Sequence, residues 1–256
     1  MDHLFLSDVH LGAFDDRTNR HLEEQLIALT HYCRENSIRL HILGDLFDYW
    51  MEYPGEVPGL GLELLEELEL YNRTVHPATY ILGNHDNWDR GYFEELGFAV
   101  SHNQYLLEAD NKRFFLHHGD GLADPAYRLP RPLYHRVIRS SWFTRLYQAV
   151  LPPAAGLHLM KTFSSMSRKK IEQAPEMLNQ WSKNLLNSST FDYVLSGHDH
   201  IARMETFPFG TYINPGAFFK EYLVAYYTNS ELKLVKWCTD GNKLIPHNSV
   251  NNGSNE

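Results

Sequence analysis

Between Pro125 and Ile171 the chain contains no aspartate and no glutamate. Nine basic residues fall in that window (Arg128, Arg131, Arg136, Arg139, Arg145, Lys161, Arg168, Lys169 and Lys170), whereas the rest of the chain carries 14 basic and 32 acidic residues. Other scarcities also exclude things. Two cysteines, Cys33 and Cys238, rule out a disulfide framework or a cysteine-based metal site and fit a reducing, cytoplasmic setting. No apolar run approaches the roughly 18 residues that a membrane-spanning helix needs. The opening MDHLFLSDVH has only a short apolar run and no basic region, so no secretion signal is expected. Internal repeats are absent, and the polar end PHNSVNNGSNE is expected to fray. With 43% hydrophobic and 21% charged residues over 256 positions, the chain can bury a substantial core.

Short apolar runs that end in glycine or a polar ligand-type residue recur: HLFLSD, LHILGD, TYILGN, FFLHHGD and YVLSGH. Consecutive apolar residues need cover on both faces, which predicts buried strands running into loops. Amphipathic stretches at Thr18 to Glu35 and Leu60 to Asn72 separate the first three runs, the alternation of βαβ units and parallel strands. Later, RMETFPFGTYINPG and EYLVAYYTNSELKLVKW read as hairpins, the second turning at Asn229-Ser230. The acid-free window, extended to about Leu186 and broken at Pro152-Pro153, interrupts this plan with helical periodicity. The reading is a core over 1–123 and 187–246, an inserted helical cap over 124–186, and a flexible tail over 247–256.

The loops after the five runs carry metal-type ligands: Asp8-x-His10, Gly44-Asp45, Gly83-Asn84-His85-Asp86, His117-His118-Gly119-Asp120 and Gly197-His198-Asp199-His200. Sites of α/β sheets assemble at the carboxyl ends of strands. Glycine before a ligand permits a close backbone approach. Carboxylate and amide oxygens mixed with imidazoles suit borderline divalent ions such as Mn²⁺, Fe²⁺ or Zn²⁺. Alone, a D-x-H or a Gly-Asp is an ordinary turn; five such loops in order, each after an apolar run, point to a strand-scaffolded dinuclear site.

D-x-H, GD, GNHD, HGD and GHDH in this order resemble the calcineurin-like metallophosphoesterases. The resemblance covers nearly the whole chain outside the insertion and implies an α/β fold, a four-layer αββα sandwich with the inserted helical cap. It implies one metal on Asp8, His10 and His200, a second on Asn84, His118 and His198, and Asp45 bridging both. His118 is chosen over His117, which then points the other way along its strand. His85 is expected to donate a hydrogen bond or proton toward a phosphate or leaving group, with Asp86 orienting its ring or simply capping its loop.

Within that family, GDLFDYW together with HGD, D-x-x-Y and a helical insertion rich in arginine and aromatics looks like the UDP-2,3-diacylglucosamine hydrolases of lipid A biosynthesis. That resemblance implies cleavage of a UDP-linked diacylated glucosamine lipid to UMP and 2,3-diacylglucosamine 1-phosphate with a Mn²⁺ pair. It also implies a peripheral place on the cytoplasmic face of a Gram-negative inner membrane. It assigns Asn84, His85, Asp124, Tyr127, Ser164 and Arg168 to substrate. One departure stands out: the best-known members have arginine where this chain has His85. A metallophosphoesterase acting on a soluble nucleotide or other phosphodiester is the competing enzyme reading, and a catalytically silent metal-binding scaffold the competing class.

The insertion supports a lipid ligand on its own. Leu133, Val137, Trp142, Phe143, Leu146, Tyr147 and Val150 recur at helical spacing among Arg136, Arg139 and Arg145, which suits an anionic membrane surface or an acyl groove beside a diphosphate. Nucleic acid ranks below these, because the arginines alternate with large aliphatics and the remainder of the chain is acidic. A monomer is expected.

Overall fold

The computed structural model describes residues 1–168 and 175–247, with side chains described outside 163–175. Strands β1 (His3–Leu6), β2 (Arg39–Ile42), β3 (Thr79–Ile81) and β4 (Ala99–Ser101) pair in parallel in that order. Strand β10 (Leu223–Thr228) joins β1 antiparallel, and β11 (Glu231–Cys238) and β12 (Lys243–Pro246) complete a seven-stranded sheet. Asn229 and Ser230 turn β10 into β11 with φ of 51° and 62°, the positive pair that a tight hairpin turn requires. A second sheet runs in the order β5 (Gln104–Ala109), β6 (Lys112–His117), β7 (Tyr193–Leu195), β9 (Gly210–Asn214), β8 (Arg203–Phe207). Its three central strands β6, β7 and β9 are parallel.

The two-residue period of a strand sorts side chains into layers. Leu4 and Leu6 of β1 pack with Leu22, Leu26 and Leu29 of α1 (Asp16–Glu35) and Leu64 and Leu68 of α2 (Leu62–Thr74). Phe5 between them faces the opposite sheet, its ring 6.1 Å from Phe114 of β6. Phe115 points outward again, with Val194 and Tyr212, onto Leu178, Trp181 and Leu185 of α7 (Pro175–Ser188). The result is the expected four-layer αββα sandwich.

Two short helices, α3 (Tyr92–Glu95) and α8 (Phe218–Glu221), complete the core. The cap comprises α4 (Leu133–Ile138), α5 (Ser141–Val150) and α6 (Pro153–Arg168). Ser140 breaks what the periodicity alone reads as one helix, because its hydroxyl accepts from Phe143 N (3.3 Å) and caps α5. On α5, Phe143 and Tyr147 face inward against Met51, Tyr53 and Trp88, while Trp142, Leu146 and Val150 face solvent at 69%, 47% and 69% exposure. By its contacts α7 is an outer layer of the sandwich, although all but its last two residues fall in the 124–186 segment read as the cap. The polar tail after His247 lies outside the described residues.

Candidate metal centre

The five ligand-bearing loops leave the carboxyl ends of β1, β2, β3, β6 and β7, so both sheets deliver side chains to one edge of the sandwich. Cross-links register the loops. Val9 N and His10 N donate to Asp45 O (2.9 and 3.0 Å), and Gly197 N donates to His118 O (2.8 Å). Two contacts join the sheets directly: His198 N donates to Asp8 Oδ2 (2.9 Å), and His118 Nδ1 bonds Leu43 O (2.9 Å). A methyl group on Gly83 would land on Asp45 Oδ1, so only glycine lets the β3 loop come this close to that carboxylate.

Five of the ligand-type residues hold left-handed backbone: Asp8 (φ 53°), His10 (51°), Asp45 (52°), His198 (75°) and His200 (60°). Asp and His tolerate that region better than most residues, and its concentration at one edge is the mark of a built site.

Asp8, His10 and His200 place ligand atoms within 4.8 Å of one another, as do Asp8, Asp45 and His118. His10 Nε2 and His200 Nε2 stand 3.0 Å apart. Asp45 Oδ1 accepts from His85 N (2.9 Å), and its Oδ2 lies between His118 Nε2 (3.3 Å) and His10 Nε2 (3.8 Å). Asn84 Oδ1 is 3.1 Å from His118 Nε2, and the His198 ring centroid is 5.1 Å from that of His118. His117 turns away onto Trp181 (4.8 Å) and Phe115 (5.7 Å). Asp8 Oδ1, Asp45 Oδ2 and His198 Nδ1 are buried and make no hydrogen bond. Buried polar atoms without such partners are costly, and a mixed carboxylate, amide and imidazole set suits divalent ions; these residues fit a metal pair.

Burial by itself would raise the Asp45 carboxyl and lower the His118 imidazole; their mutual attraction reverses both, holding Asp45 well below the usual range and pushing His118 up to about 10. His198 falls to about 3 through burial and the neighbouring His118.

The Asp86 carboxylate, read as orienting His85 or capping its loop, bonds the loop backbone and Tyr80. Its oxygens accept from Gly83 N (2.6 Å), Leu46 N (2.8 Å) and Tyr80 OH (2.5 Å), so it ties the β2 and β3 loops together. Burial and the nearby Asp45 raise Asp86 to about 6. The ring of His85 is held instead by Asp48, whose carbonyl lies 2.9 Å and whose Oδ1 lies 3.7 Å from Nδ1. Asp48 Oδ1 is also 3.3 Å from His10 Nδ1. Asp48 was open to view in GDLFD, three residues after Asp45.

Beside Asn84 and His85 opens a cavity of about 280 Å³, walled by residues 48–51, Asn87 and Trp88 on the core side and by Tyr134, His135, Ile138, Phe143, Tyr147 and Met160 of the cap. Of the remaining substrate candidates, Asp124 is exposed and caps the turn Pro125–Tyr127 by accepting from Ala126 N (2.9 Å). Tyr127 packs edge-on against Phe115 (4.8 Å) and gives its carbonyl to Trp181 Nε1 (2.7 Å), in the outer layer rather than among the ligands. Ser164 and Arg168 have their backbone in α6; their side chains lie outside the described residues.

A hydrolytic metallophosphoesterase is the class that this fold and this cluster define. The profile described as Calcineurin-like phosphoesterase matches residues 1–202, and the chain belongs to that family. It is 30% identical over 220 residues to a protein of Porphyromonas gingivalis named UDP-2,3-diacylglucosamine hydrolase, with 77% of this chain and 82% of that one covered. Proteins of the same name from Photorhabdus laumondii (27%; 77% and 81% covered) and Proteus mirabilis (26%; 79% and 83% covered) are also similar. No helix among the described residues is long and apolar enough to cross a membrane.

Proposed function

We propose that the protein hydrolyses the pyrophosphate of UDP-2,3-diacylglucosamine in lipid A biosynthesis, releasing UMP and leaving 2,3-diacylglucosamine 1-phosphate. The observation that carries this reading is the apolar cavity of the cap opening directly beside Asn84 and His85. A ligand with a diphosphate at the cluster and acyl chains against Trp88, Phe143, Tyr147 and Met160 would satisfy both halves of that surface. Three relatives bearing the name of this reaction support it.

Two divalent ions, Mn²⁺ favoured, would be held by Asp8, His10 and His200 and by Asn84, His118 and His198, with Asp45 shared. When bound they would lower the pKa of water and offset charge on phosphoryl oxygens. The chain's own part is orientation and charge. His85, its Nδ1 proton held by the Asp48 carbonyl, donates from Nε2 toward the phosphate or its leaving group as the imidazolium, the form that the charge of a bound phosphate favours. The water oxygen ends on phosphorus, the bridging P–O bond breaks, and the departing phosphate leaves as an anion.

The solvent-facing stripe Trp142, Leu146 and Val150, with Leu133 at 76% exposure and exposed Arg136 and Arg145 nearby, supports peripheral attachment to an anionic inner-membrane surface on the cytoplasmic side.

The test is UMP release from UDP-2,3-diacylglucosamine by purified protein with Mn²⁺, beside bis-p-nitrophenyl phosphate. UMP release is expected, abolished by EDTA and restored by Mn²⁺, and lowered by roughly a thousandfold or more in Asp45→Asn, which loses a shared ligand charge. Turnover of the simple diester alone would reject the lipid substrate in favour of a soluble phosphodiester. Near-normal rates in Asp45→Asn would reject the dinuclear site.

A further inference from the structure

Asp120, two residues after His118, is buried, and one of its oxygens gathers two guanidinium groups and an imidazole from the cap. Arg139 reaches Asp120 Oδ2 through both Nε and an η nitrogen (2.9 Å each), His135 Nδ1 through 3.1 Å and Arg131 Nε through 3.7 Å. Arg139 also donates to Leu82 O (3.1 Å), two residues before Asn84, and to His102 O (3.5 Å). Arg131 adds a bond to Gly121 O (2.9 Å). Burial would raise the Asp120 carboxyl, but Arg139, His135, His118 and Arg131 hold it far below the usual carboxylate range. One residue before Arg139, Ile138 O accepts from Trp88 Nε1 (2.7 Å). The Arg139 side chain is only 7% exposed, and its guanidinium is engaged by these contacts.

We propose that Arg139 is a positioning residue that locks the cap in register with the metal centre, through Asp120 on the loop after β6 and Leu82 on the loop after β3. Both loops carry candidate ligands, so the latch sets the distance between the ligand cluster and the cap wall of the cavity. Tyr134, His135 and Ile138 come from the same helix, α4, that ends at Arg139. A lysine in its place keeps the charge on one nitrogen but loses the paired Nε and Nη contacts to Asp120 and the bond to His102 O. The latch therefore selects for a substrate that fills the cavity and is indifferent to one that only touches the cluster. The kinetic part of this inference rests on the lipid reading given above; the structural part does not.

The test compares the full-length protein with Arg139→Gln and Arg139→Lys. By hydrogen–deuterium exchange without substrate, amides of 133–150 should exchange at least tenfold faster in both variants, while those of β1, β2 and β3 keep their protection. With Mn²⁺, KM for the lipid nucleotide should rise tenfold or more, while kcat on bis-p-nitrophenyl phosphate stays within twofold. Unchanged cap exchange overturns the latch. So does an increase shared by β1 to β3, or full rescue of the lipid KM by lysine. Should the unaltered protein leave the lipid nucleotide untouched, the substrate reading fails and the exchange pattern alone decides the latch.

Discussion

At Asp48 two imidazoles meet, His10 through the carboxylate and His85 through the carbonyl. A histidine held at one nitrogen is fixed in tautomer and direction at the other. Asp48→Ala should therefore lower kcat/KM on bis-p-nitrophenyl phosphate by about 10- to 100-fold and weaken Mn²⁺ binding measured by calorimetry. An unchanged metal affinity together with an unchanged rate would deny Asp48 this role. The seven ligand candidates were legible because each follows an apolar run and a turn. The partner of His85 was not, because adjacency in sequence favours Asp86. Space does not: the loop after β2 folds over the loop after β3, bringing Asp48 to the ring and sending Asp86 inward to backbone amides and Tyr80.

Among the elements, β1, β2, β3, β6 and β7, both hairpins and α1 and α2 follow from apolar runs and amphipathic spacing. Strands β4, β5 and β12 do not. The burial patterns of AVS, QYLLEA and KLIP are only partial, so pairing with a neighbour rather than hydrophobicity makes them strands. The same sheets enclose a chain that no motif announces: His3 Nδ1 to His41 Nε2 (2.9 Å) and His41 Nδ1 to Thr79 Oγ1 (3.0 Å), across three neighbouring strands. Burial, with Arg39 and the N-terminus nearby, lowers His3 to about 4, and burial beside His3 lowers His41 well below its usual value. These rings stay neutral in the fold but take up protons near pH 6.5 when unfolded, so their contribution is present above 6.5 and lost as pH falls toward 4. The loss from His3 is on the order of 2–3 kcal/mol. In urea titrations at pH 7 and pH 5, His3→Leu/His41→Leu should show a smaller pH-dependent loss than the unaltered protein. An equal loss would place the dependence elsewhere.

Across the whole molecule, charge is segregated by role. The acidic sandwich carries the ligand loops, and the acid-free segment supplies the cap. Two of its arginines, Arg131 and Arg139, turn inward on Asp120, while Arg128, Arg136 and Arg145 stay exposed. Composition alone could not divide them, since the division depends on how the segments on either side of α4 meet the loop after β6. The outward stripe of α5 lies on this basic surface. Trp142→Ser/Leu146→Ser should cut binding to vesicles containing anionic phospholipid by at least tenfold, about 1.4 kcal/mol, without altering bis-p-nitrophenyl phosphate turnover. Equal partitioning of the variant would remove the membrane from the account.

The left-handed backbone at Asp8, His10, Asp45, His198 and His200 also narrows the alphabet that those positions accept. β-Branched side chains are barred there by their own backbone before any chemistry is considered, and alanine adds conformational strain of its own. Asparagine and glycine occupy that region with little penalty. A library at these five positions should thus split into two inactive populations: Asn and Gly proteins that fold and accumulate, and Val, Ile and Thr proteins that do not.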